Sequence, residues 1–424
     1  MSSALHGGAR RRSTTTALLA GTIATLFLAL APAADAAKRM EITLQDDAIF
    51  LQQFYGNREQ AFNLASGLEV SRLRANIIWA SVNGAQKTQR SVPSNPTYDF
   101  SKVDGLVAAA KARGLKINLS IAGQAPAWAA GDKKFTGKGT VKPNAKLYGK
   151  FVSTVVKRYK GKVDTYSIWN EPNHKGWIQT NSKGSVAGNA KIYRALYTEG
   201  YKAAKKADRK ARVWFGELAP YPSKKGVAVE PLKFLRQAFC LDSRNRPTRG
   251  RCPTLRTDAV AYHPYDFARA PKQRFKLNSK QKGVSAKDVV TMANLGDLTK
   301  VLDALTKNKR LIKARGRGKL DVHLTEFGYF ASGRDTFPES TRAKYLVDGF
   351  KIAQKNPRVK SMLQFTLVRY PGAGGAGAAF NFDTGIVNLI DNPPPTSYMP
   401  TASYTKLASY AKSAVSKGDI KNAP

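Results

Sequence analysis

The chain has 424 residues, 42% of them hydrophobic, with 70 Lys+Arg against 29 Asp+Glu and a net charge of +41. That apolar content supports a large core, and beyond the first 36 residues no segment is long and apolar enough to span a bilayer. The charge excludes nothing about fold; it speaks to solubility and partners.

Residues 1–36 read as a secretory leader outside the fold. Arg10, Arg11 and Arg12 precede an apolar run over residues 17–31, and Ala34-Asp35-Ala36 places small residues at the −3 and −1 positions of a cleavage site. The alternative, a membrane anchor, needs a run of about 20 residues. Loss of the leader, with three arginines and one aspartate, leaves +39 on residues 37–424. Those residues are expected to form one secreted catalytic domain, monomeric by default. No nucleic-acid motif is present, and the lysines are scattered. An anionic cell-wall polymer or acidic polysaccharide is the expected partner, with bare solubility as the alternative reading of the charge.

Strand-like and helix-like segments then alternate. Residues 41–45 form the first strand and 60–67 a helix; 71–79 form the second strand and 99–113 an amphipathic helix stopped by Gly114. Strands follow at 115–121, 163–169, 211–215, 258–263, 320–325 and 359–367. The intervening helices fall at 147–159, 190–207, 229–239, 295–306 and 339–354, with a last one at 401–414. Eight such repeats predict a single (β/α)8 barrel. An open doubly wound sheet would want a Gly-rich phosphate loop after an early strand, and none is found. The low-complexity residues 372–377 are read as a loop over the barrel mouth or a plain linker.

In a parallel barrel, catalytic groups sit at the C-terminal strand ends. Two glutamates fall there: Glu171 in Ser167-Ile-Trp-Asn-Glu-Pro-Asn173, and Glu326 in His323-Leu-Thr-Glu-Phe-Gly-Tyr329. Two carboxyls about 5–5.5 Å apart suit double displacement with retention at a sugar. Glu171 is assigned as acid/base, its pKa raised, and Glu326 as an ionised nucleophile. The bland alternative makes Glu171 a helix-start carboxylate and Glu326 an ion-pair partner. Cys240 and Cys252 are expected to form a disulfide, free thiols being the other reading. No metal-ligand motif appears, and no cofactor is expected. Asp46-Asp47 would contact sugar or cap the next segment. Of Trp79, Trp128 and Trp177, one or two are expected to line the cleft as stacking platforms, Trp177 first.

Trp169-Asn170-Glu171-Pro172-Asn173 and Thr325-Glu326-Phe327-Gly328 resemble clan A glycoside hydrolases, especially families 5 and 39. The resemblance implies that Asn170 binds the sugar 2-hydroxyl and that Arg74 hydrogen-bonds the nucleophile. It makes Tyr262-His263-Pro264-Tyr265 the strand-six His-X-Tyr, with Tyr265 on the nucleophile; a structural hydrogen bond is the other reading of His263. Trp128 matches a Pro-X-Trp after strand three. Residues 383–387 and 400–404 resemble the clan's run into the last helix. One departure is plain: strand eight, Ser361-Met-Leu-Gln-Phe-Thr-Leu-Val-Arg369, lacks the Trp that many members place there, leaving Phe365 or Tyr370 as stand-ins. The expected activity is hydrolysis of O-glycosidic bonds. A wall-associated carbohydrate-binding protein and a transglycosylase are the alternatives.

Overall fold

The computed structural model describes residues 39–424 apart from 55, 133–138, 251, 334, 370–381 and 391–396. The predicted leader, Tyr370 and the 372–377 segment lie outside the described residues. Eight parallel strands close into a barrel, each followed by a helix. Numbering only these, the units are β1 Glu41–Gln45 with α1 Arg58–Gly67, β2 Val70–Ile78 with α2 Ser101–Ala112, β3 Lys116–Ala122 with α3 Ala145–Arg158, and β4 Thr165–Ile168 with α4 Asn189–Ala207. They continue as β5 Arg212–Leu218 with α5 Pro231–Ala238, β6 Ala259–Tyr262 with α6 Leu295–Lys307, β7 Val322–Leu324 with α7 Glu339–Lys355, and β8 Val359–Phe365 with α8 Ala402–Ser416. Pairing of β1 with β8, Glu41 opposite Ser361, closes the ring. This is the predicted (β/α)8 barrel. Among the described residues no helix is long and apolar enough to cross a membrane.

The helices form because their apolar residues recur at helical spacing and face the sheet. In α3, Tyr148, Phe151, Val152, Val155 and Val156 are buried, each contributing roughly 1.5–3 kcal/mol of burial. Asn144 caps this helix by accepting from the Leu147 N–H at 3.1 Å. Gly114 ends α2 with φ +70°, as its position predicts.

Strand alternation gives the barrel two environments. Leu73, Ala75 and Ile77 of β2 join the main core between sheet and helices. Arg72 and Arg74, on the other face, point into the barrel and reach residues of other strands. Near the base, Arg72 bonds Glu41 (2.9 Å), Asp164 (3.0 Å) and Thr165 (3.2 Å). Beside them, Trp214 stacks on His323 with ring centroids 3.8 Å apart, and the His323 Nδ1 lies 2.8 Å from the Ser361 hydroxyl. A polar interior of this kind holds only where its groups find partners.

Asp46 acts as a cap. It accepts from the Ile49 N–H (3.3 Å) and the Val368 N–H (2.9 Å), tying the end of β1 to the segment after β8. Burial outweighs these bonds and pushes its carboxyl up to about 7; burial likewise lifts Asp47 to about 6. Unfolded aspartate titrates near pH 4, so the folded state binds the extra proton and stability declines as pH rises from about 4 to about 7. Asp46→Asn is expected to flatten part of that decline in urea midpoints taken from pH 4 to 8. An unchanged slope would remove Asp46 as its source.

Cys240 and Cys252 are bonded, as expected, across a sequence separation of 12. Serine at both positions is expected to lower unfolding free energy by about 3 kcal/mol through the freer unfolded chain. A urea midpoint equal to that of the oxidised protein would count against it.

Candidate active site

The strand ends at the barrel's C-terminal face bring Arg74, Asn170, Glu171, His263, Tyr265 and Glu326 together. Beyond β4 the chain turns sharply: Trp169 and Glu171 take φ +69° and +36°, sparsely populated for residues with a Cβ. The turn is pinned by backbone bonds from Trp169 N–H to Ile121 C=O (3.0 Å) and from Glu171 N–H to Glu217 C=O (2.9 Å). Asn173 fastens the following loop, donating to the Ala219 and Val229 carbonyls at 2.9 Å each and accepting from the Ala219 N–H at 2.8 Å. After β7, Thr325 N–H donates to Tyr262 C=O at 2.9 Å. Gly328 packs so close to the Phe365 carbonyl that a Cβ there would sit 2.4 Å from its oxygen.

The carboxyl oxygens of Glu171 and Glu326 and a ring nitrogen of His263 all lie within 4.8 Å of one another. Arg74 donates to Glu326 at 2.9 Å, and the Tyr265 hydroxyl donates to its other oxygen at 3.2 Å. His263 Nδ1 sits 3.1 Å from Glu171 and 3.6 Å from Glu326. The Glu171 side chain is 20% exposed and that of Glu326 10%, so the acid assigned to the leaving group is the one nearer solvent.

Sequence reasoning missed Glu217, Gln45 and Ser120. Glu217 is fully buried at the end of β5 and takes the Arg74 guanidinium on both oxygens, at 3.0 and 2.7 Å. Ser120 donates to it at 2.6 Å, Arg74 also reaches Asn170 at 2.7 Å, and Gln45 accepts from Arg74. The signal was a carboxylate closing the apolar run Val213-Trp-Phe-Gly-Glu217. The predicted strand stopped at 215, whereas β5 runs on through a bulge at Gly216 (φ +116°), which aims Glu217 inward.

The proton balance differs from the expected one. Burial raises Glu326, and the facing Glu171 and Glu217 hold it above the usual carboxylate range against the pull of His263 and Arg74. Burial also acts to raise Glu171, but its bond to His263, with His174 and Trp177, outweighs that and leaves it lowered. The nucleophile candidate, not the acid, is the easier to protonate, because burial raises Glu326 beside two carboxylates while the bond to His263 holds Glu171 down.

The tryptophans divide. Trp79 is buried, stacked on Phe151 and edge-on to Trp128, and Trp128 is itself buried and donates to Asn83 at 2.9 Å. Both pack the barrel wall, so Trp128 offers no free face to a sugar; Trp177 is half-buried against the core and its side chain bonds Glu171. Phe365 ends β8 where a Trp was sought and joins an aromatic wall with Phe382 (5.7 Å) and, through it, Tyr265, Phe267 and Phe330.

Glu171, His263 and Glu326 are the donors that a cation could use, a cluster no short motif reveals. Arg74 already supplies positive charge there. Arg74 is shared by Glu217 and Glu326, and Glu171 lies close to Glu326, so carboxylates outnumber the guanidinium, a field that favours a cationic reacting group.

The family model for glycosyl hydrolase family 10 matches residues 67–231, a span holding Arg74, Asn170, Glu171 and Glu217. Among solved structures, a family 39 glycoside hydrolase from the gut symbiont Bacteroides cellulosilyticus WH2 superposes with TM-score 0.55 at 15% identity, over 89% of this chain and 64% of that one. This chain thus spans less than two thirds of that protein's length. SghA of Agrobacterium tumefaciens, described as a virulence factor, gives 0.53 at 15% identity over 83% and 85%. Native xylanase 10B of Thermotoga maritima gives 0.50 at 15% over 91% and 98%. At these identities the structures establish the fold; together with the family match they are clan A glycoside hydrolases, the class that acts on O-glycosyl bonds.

Proposed function

We propose, for a chain of the clan A glycoside hydrolase type, that it is a retaining glycosidase with Glu171 as acid/base and Glu326 as nucleophile. The observation that carries this is the pair of carboxyls within 4.8 Å across one pocket, with Arg74 and Tyr265 donating to Glu326. The spacing suits direct attack by a carboxylate and leaves too little room for the water that an inverting enzyme lodges between wider-set acids.

The cycle has two displacements. Glu326 attacks the anomeric carbon while Glu171 passes its proton to the glycosidic oxygen; that C–O bond breaks and the alcohol leaves. Water then gives a proton to the Glu171 carboxylate, its oxygen bonds the anomeric carbon, and the ester to Glu326 breaks. Charge builds on the ring between the steps, where the surrounding carboxylates stabilise it. A sugar ring entering the pocket displaces water from Glu171, the more exposed partner, and favours its neutral form. Glu326 keeps its two donors, so bound substrate shifts the proton balance toward the roles assigned.

The substrate is read as an extracellular carbohydrate. The leader-like residues 1–36 and the Cys240–Cys252 disulfide support export. Proton NMR of the first product from an aryl glycoside is expected to show the anomeric configuration of the substrate. Initial release of the opposite anomer would end the retaining reading.

A further inference from the structure

At the N-terminal face, opposite the glutamates, a cleft of about 940 Å³ opens between the starts of β3 and β4 and the ends of α2, α3 and α4. Lys111, Lys160, Lys162, Lys206, Arg209 and Lys210 rim it. All six are exposed, and among the described residues none has a carboxylate within ion-pair distance. Its two acids are already engaged: Asp164 with Arg72, and Asp208 with the Lys210 N–H. Its buried apolar lining comes from Ile117 and Val163.

A second cleft of about 450 Å³ lies under the barrel axis, with Arg39, Arg212 and Lys360 at its edge, likewise without carboxylate partners. The clefts meet where Arg72 of one holds Asp164 of the other at 3.0 Å. Helix C-termini point to this face and favour nearby cations. Among the described residues, however, nine cations without a carboxylate partner line two joined clefts, where Glu41, Asp258 and Asp321 are already held by Arg72, Lys205 and Lys313, and they form a positive strip rather than isolated caps.

We infer that this strip is a binding track for a linear carboxylated polysaccharide, holding the protein by its base while the catalytic mouth faces outward. The choice of a glycan rests on the glycosidase reading above; the location does not. A single chain with repeated anionic groups fits a narrow, apolar-lined cleft rimmed by lysines. Trp214, the indole in the second cleft's lining, is buried and stacked on His323, so it offers a nucleobase no free face.

The test uses polygalacturonate with the full protein at low and high salt. Charge reversal at the track, Lys160→Glu/Lys162→Glu/Lys210→Glu, is expected to weaken binding at least about tenfold at low salt and to flatten its salt dependence. Turnover of a small aryl glycoside should stay at the parent level, which also reports correct folding and keeps a failed glycosidase reading distinguishable from a failed track. A control reversal of equal charge, Lys351→Glu/Lys355→Glu/Lys406→Glu, lies in a separate basic cleft between α7 and α8 and should bind nearly as the parent does. Equal losses in the two variants, no binding by the parent, or tighter binding of double-stranded DNA through the same lysines would each overturn the proposal.

Discussion

Glu326→Ala is expected to lower turnover of an aryl glycoside by about 10⁴-fold or more, and added azide should restore part of it. The missing carboxylate leaves a hole beside the anomeric carbon on the side from which Glu326 attacks. Azide entering there displaces the leaving group once, so the glycosyl azide carries inverted configuration. Glu171→Ala should behave differently. A nitrophenol departs without a proton, so formation of the ester on Glu326 persists while poor leaving groups stall. Azide then attacks that ester from the opposite side, and the product keeps the substrate's configuration. Azide products of one configuration from both variants would dismantle the role assignment. The parent kcat/KM should be bell-shaped in pH, with limbs that belong to the Glu171–Glu326 pair jointly.

Arg74→Met should have the largest effect on stability. It strips the fully buried Glu217 of both guanidinium contacts and Glu326 of one, leaving Glu217 with the Ser120 hydroxyl. Breaking a buried pair from one side costs about 3–5 kcal/mol. Adding Glu217→Gln should recover part of that loss, because the stranded charge is removed with its partner. The sign with pH is fixed. Without Arg74, Glu217 becomes harder to ionise when folded than when unfolded, so the deficit is smallest in acid and grows as pH rises past the ordinary glutamate range. Urea melts at pH 4 and pH 7 decide it; a loss below about 1 kcal/mol at both would mean that the interior relaxes around the vacancy.

Much of the barrel was legible because its helices carry long apolar stripes and its strands are bounded by glycine and polar residues. The candidate pair, Glu171 and Glu326, was legible as neighbours because each glutamate closes a hydrophobic run, where a parallel barrel exposes strand ends. Other features were hidden by geometry that sequence does not state. Arg72 and Arg74 sit in one Arg-Leu-Arg run, yet one braces the base and the other the site; the two-residue step along β2 alone separates them. Glu217 stayed hidden because Gly216 reads as a strand terminator and is instead a bulge. Trp128 was expected as a sugar platform because large aromatics serve that purpose at barrel mouths, but its indole N–H finds Asn83 and its ring finds Trp79. The short parallel pair Leu255–Thr257 and Leu311–Lys313, outside the barrel, was not anticipated from the sequence.

The bond from the Glu171 backbone to the Glu217 carbonyl has a wider meaning when followed onward. Glu217 grips Arg74, and Arg74 grips Glu326, so both candidate acids are anchored to one intermediary. Left on loose loops, two like charges would relax away from each other. Here the scaffold holds them at short range before any sugar arrives, and their repulsion is installed during folding. Rim loops altered to admit a different sugar would inherit the same reactive gap.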